Sequence, residues 1–147
     1  LEERGAAVDL ATKKRYHDFM SYFFSRVVES SFAEAVTRVR AGLKEEGFGV
    51  LTEIDVGKTL KEKLEVDFHN YLILGACNPS LAYKALLAEN KIGTMLPCNV
   101  IVQEHEKGQV EVAAIDPVAS MISIDNPELK VISKQVQEKL RKVIERL

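Results

Sequence analysis

The chain has 147 residues, 46% of them hydrophobic and 29% charged, with a net charge of −2. That composition supports one globular domain with its own core and gives no electrostatic footing for nucleic-acid binding. No apolar run approaches the ~18 residues needed to span a bilayer, and Leu1-Glu2-Glu3-Arg4 lacks the positive-then-apolar layout of a signal peptide.

Residues 1–19 are polar with scattered apolar positions, such as Val8 and Leu10. They read as an N-terminal extension or a vector-derived segment, with a short helix as the expected structure. Met20 reads as a native start, so the domain is placed at residues 20–147. Ser21 to Val28 is an apolar run of strand type. Ser31-Phe32-Ala33-Glu34 is a capping box: the serine hydroxyl accepts from the Glu34 amide while Glu34 reaches back. Phe32, Ala35, Val36, Val39 and Leu43 follow helical spacing, and Gly47 closes that helix.

Phe48 to Ile54 reads as a strand with Phe48, Val50, Thr52 and Ile54 on one face. Asp55 caps a short helix carrying Val56, Leu60 and Leu64. Asn70 to Ala76 is an apolar strand, and Asn78-Pro79 opens a helix with Asn as N-cap and Pro at the first position. Its apolar face is Leu81, Ala82, Ala85 and Leu86. An irregular turn over 92–97 follows. Cys98 to Glu104 and Gln109 to Ile115 are strands joined by a hairpin at Glu106-Lys107-Gly108, and Asp116-Pro117 ends the second. Asn126-Pro127 repeats the cap arrangement. The last helix carries one stripe of Leu129, Ile132, Val136, Leu140, Val143 and Leu147. The expected fold is α+β in two layers: a mainly antiparallel sheet in β-α-β(4)-α order, with short helical insertions, covered on one face by the first and last helices.

Several stretches in this order resemble the DUF302 family, a domain of unknown function. They are Glu46 to Asp55, Leu74-Gly75-Ala76-Cys77-Asn78-Pro79-Ser80-Leu81-Ala82-Tyr83, Gly93 to Asn99 with Leu96-Pro97-Cys98-Asn99, and Ile115-Asp116-Pro117. The resemblance covers residues 20–121 or through to 147. It implies a TBP-like fold and a compact bacterial or archaeal protein, often a homodimer, with no established activity.

The only cysteines, Cys77 and Cys98, are each followed by Asn at a junction between elements. Cys77 precedes the N-cap Asn78, where free N–H groups and the helix dipole favour a thiolate and lower the thiol pKa. The plainer reading is a small buried residue at a strand end. Twenty residues separate the pair, which is not a CxxC motif. Asn78 and Asn99 read as caps or as amides presented to a small anion. Asp116 reads as a turn residue, a general base or a ligand carboxylate. His69 and His105 read as solvated surface residues, and with Asp116 they show no recognised metal spacing. Tyr83 reads as core or interface. No metal or cofactor is expected.

The leading expectation is a homodimeric, cytoplasmic binding domain for a small polar or anionic ligand, using Cys77, Asn78, Cys98, Asn99 and Asp116. The alternatives are a thiol-dependent enzyme or redox sensor, with Cys77 as nucleophile and Cys98 resolving it, and a purely structural interaction module. Whether a reaction is catalysed stays open; Cys77, Cys98 and Asp116 are the catalytic candidates.

Overall fold

The computed structural model describes residues 21–147; the expected N-terminal helix, His17 and Met20 lie outside them. The elements are β1 (Phe23–Val28), α1 (Phe32–Glu45), β2 (Gly49–Asp55), α2 (Val56–Leu64), β3 (Asn70–Cys77), α3 (Pro79–Ala88), a 3-10 turn (Asn90–Met95), β4 (Cys98–Glu106), β5 (Gln109–Ile115), α4 (Pro117–Ser120) and α5 (Pro127–Glu145). The five strands form one antiparallel sheet in the order β1-β5-β4-β3-β2. The architecture is the α+β arrangement expected, with α4 an addition. No helix among the described residues is long and apolar enough to cross a membrane.

Local chemistry sets the helix limits. Ser31 accepts from the Glu34 amide at 3.1 Å. At the other end of α1, Gly47 has φ +82°. Its amide donates to the Lys44 carbonyl and the Phe48 amide to the Leu43 carbonyl, so the orphan carbonyls of the last turn are satisfied. Phe48 and Leu43 then meet in the core. Asp55, Asn78 and Asn126 each accept from amides of the first turn of α2, α3 and α5.

Strand alternation sorts side chains to two faces. Leu72, Leu74, Val100, Val102, Val110 and Val112 point to the inner face, where Ala35, Val39 and Leu43 of α1 and Leu140, Val143 and Ile144 of α5 cover them. A smaller cluster of Ala85, Ile92, Met121 and Leu129 lies under α3 and the first turns of α5.

Two expectations, the single face of β2 and the apolar face of α3, are corrected. The register of β2 shifts between Val50 and Thr52, so one extra residue, Leu51, is fitted there. Val50 packs on the core, while Thr52 pairs with Gly75 and Ile54 with Ile73 on the other face. Helix α2 buries none of its residues, and Leu64 is 64% exposed. Leu86 and Tyr83 of α3 are both exposed rather than core.

Candidate functional site

The two Cys-Asn motifs lie at the ends of neighbouring strands. Ala76 pairs with Cys98 across β3 and β4, and Cys77 pairs with Gly49 of β2. The chain enters β4 through a cis Leu96–Pro97 peptide. Pro97 sits over Gly75: a Cβ there would lie 2.1 Å from Thr52 Oγ1 and 2.7 Å from Pro97 Cγ. Glycine at 75 therefore lets the 96–97 segment close down on the sheet.

Between these strand ends, α3 and α5 is a slot of about 40 Å³. Phe48, Leu81, Ala85, Leu96, Leu129 and Ile132 make its walls apolar, and Cys77, Asn78 and Cys98 also line it. Cys98 is buried, Cys77 half-buried, and both thiols are free. Of the two readings of Cys77, the thiolate at the head of α3 is not the one this setting favours. Asn78 Oδ1 already takes the Leu81 amide at 3.2 Å, and burial acts on the sulfurs instead. It raises the Cys77 pKa and pushes that of Cys98 up to about 11, with the neighbouring Cys77 adding to the rise.

Asp116 and Asn99 do not join the slot. Asp116 accepts from the Val118 and Ala119 amides, capping α4, and takes Gln137 Nε2 on both oxygens at 3.0 and 3.2 Å. A carboxylate so occupied holds α4 against α5. Asn99 is exposed and pairs with Gly75, on the opposite face of the sheet from Cys98.

Beside the slot, α4 and α5 enclose a wider cleft of about 330 Å³. Its floor is Val118, Met121, Ile122 and Leu129, and Lys130 and Lys134 stand at its rim. Sequence reading missed it, because α4 itself was not anticipated.

The outer face of the sheet holds a polar network that was also missed. Gln103, 9% exposed, accepts from His69 Nε2 on Oε1 at 3.0 Å, and donates through Nε2 to Glu111 Oε1 at 2.9 Å. A carbonyl oxygen only accepts, so His69 is the donor and its Nε2 carries the proton. The rings of Phe68, His69 and His105 stack in sequence with centroids 4.2 and 4.4 Å apart. His69 is thus half-buried and held, in contrast to the exposed His105. Burial, then Tyr22 and Glu111, raise the pKa of the adjacent Tyr71. Among the described residues, no three His, Cys, Asp or Glu side chains gather at metal-binding range.

The family model for DUF302, a domain of unknown function, matches residues 24–147. The crystal structure of an uncharacterized conserved DUF302 protein from Bacillus stearothermophilus is similar, with a TM-score of 0.78 at 30% sequence identity. The match covers 85% of this chain and 97% of that one. No curated protein matches the chain.

Proposed function

Because the chain belongs to the DUF302 family, whose description names no reaction, we propose a binding role: the domain takes a small ligand with an apolar body into the recess between α3, α4 and α5. One observation carries this reading, the apolar wall around Cys77, Asn78 and Cys98. Such lining suits a hydrocarbon group far better than the wholly polar ligand that the Asn residues suggest in sequence. The thiol-enzyme alternative loses support, since burial raises the pKa of both thiols and so disfavours the thiolate. The free thiols support a reducing compartment such as the cytoplasm as part of this reading.

The test is an NMR titration with 1-octanol. Amide shifts should concentrate at Cys77, Cys98, Met121 and Leu129. Ala85→Leu, which adds bulk to the slot wall, should abolish them while the folded spectrum persists. Shifts scattered over the surface, or none, would sink the reading.

We also propose that the domain acts as a homodimer, with a second copy on the outer sheet face. The covering helices leave that face open, and Val27, Ile54 and Phe68 remain exposed along it. An apolar patch of this kind is closed by two-fold pairing of like surfaces. Sedimentation equilibrium should give twice the chain mass, and Ile54→Lys should return the mass of one chain. A wild-type protein that sediments as a single chain rules the dimer out.

A further inference from the structure

The slot and the cleft are not separate features. Met121, Leu129 and Ser133 line both, so the two recesses adjoin at these side chains. Met121 is an unbranched, deformable thioether, a partition that a thin ligand can displace. Ile122, 76% exposed, stands at the cleft with its apolar surface in water.

The polar groups around the cleft decide what kind of head a ligand can carry. The Ser133 hydroxyl donates to the Lys130 carbonyl at 3.1 Å. The Gln137 amide nitrogen is spent on both oxygens of Asp116. What remains to meet a ligand is a pair of ammonium groups, Lys130 and Lys134, one helical turn apart on α5. No acidic side chain lines the cleft, and among the described residues neither lysine is ion-paired. Like charges at this spacing repel, and an anion seated between them relieves the repulsion. Their aliphatic stems extend the apolar floor.

Resting on the binding role above, we propose that slot and cleft form one site for a short-chain carboxylate amphiphile. Its carboxylate sits between Lys130 and Lys134, and its hydrocarbon chain runs past Met121 toward Leu129 and Cys98. Size sets the chain length. A cleft of about 330 Å³ lies at the low end of ligand sites, and a slot of about 40 Å³ admits only a chain end. A long-chain lipid would leave most of its tail in water.

Calorimetric titration of the full chain with acetate, butanoate, hexanoate and octanoate, and with 1-octanol, tests this. Affinity should rise about fourfold per CH2 along the carboxylates until the slot is filled. Octanoate should bind about fivefold tighter than 1-octanol at low salt, and the gap should close with added salt. The surface variant K130Q/K134Q should weaken octanoate more than 1-octanol, bring the two to the same affinity and remove the salt dependence of octanoate binding. Equal binding of octanoate and 1-octanol, insensitive to K130Q/K134Q, overturns the assigned head site while leaving the apolar binding role standing. Acetate binding as tightly as octanoate also overturns it, since the lysines would then be an anion patch without a tail. If neither octanoate nor 1-octanol binds, this inference and the binding role fall together.

Discussion

Leu74 and Gly75 are consecutive residues of β3, yet they belong to different worlds. Leu74 points to the inner face and is fully buried beneath the helices. Gly75 opens to the outer face, where Thr52 and Pro97 press against its backbone. Inside, any aliphatic side chain of suitable volume can serve. Outside, the sheet is shaped by single contacts: a missing Cβ at 75, an amide at 103, a carboxylate at 111. The helices supply bulk stability, and the uncovered face depends on particular atoms.

The sharpest contrast comes from substituting these two neighbours. Leu74→Ala should cost about 3 kcal/mol by leaving a cavity, and Gly75→Ala about 2 kcal/mol by overpacking. Both are read as shifts in the urea midpoint. If Gly75→Ala unfolds at the wild-type midpoint, the close approach of Pro97 is not a constraint. Gln103→Leu should cost about 1 kcal/mol, because His69 and Glu111 both lose their partner. A variant as stable as wild type would show that this amide is dispensable.

A further contrast is read from pH. The fold favours the neutral Cys98 thiol and raises its pKa to about 11. Its contribution is therefore complete below the ~8.5 of an unfolded thiol. It declines as pH rises through that window, because there the unfolded chain binds fewer protons than the folded one. Between pH ~8 and pH ~10.5 the wild type should lose more stability than Cys98→Ala. Parallel losses would show that the buried thiol is not the source.

What could be read in sequence was what short-range chemistry decides. Ser31, Asp55, Asn78 and Asn126 cap helices because their partners lie two or three residues ahead. The stripe of α5 was legible for the same reason, apart from the buried Ser133 and Ile144. Bulges hid the rest. Counting back evenly from the Glu106–Gln109 turn sets Gln103 opposite Val112, but a register shift between Glu104 and Glu106 brings it opposite Glu111 and creates the network. The extra residue near Leu51 likewise sent Thr52 and Ile54 to the face opposite Val50. Asp116 was a candidate base until Gln137, far along the chain, claimed both its oxygens. The cysteines were found, but the hydrocarbon around them comes from α3, the start of α4 and α5 together, which no local pattern announces.

The strand order also sets a timetable for synthesis. Strands β2 to β5 each pair with the next in sequence, whereas β1 pairs only with β5, where Phe23 meets Ile115. Strand β1 leaves the ribosome well before β5, and must wait for it before it can dock. Until then its phenylalanines and valines stay in water, while the meander beside it is already assembling from near neighbours. A newborn chain of this protein is therefore vulnerable at β1, where a chaperone, or the β5 edge of another unfinished copy, would find an unclaimed strand.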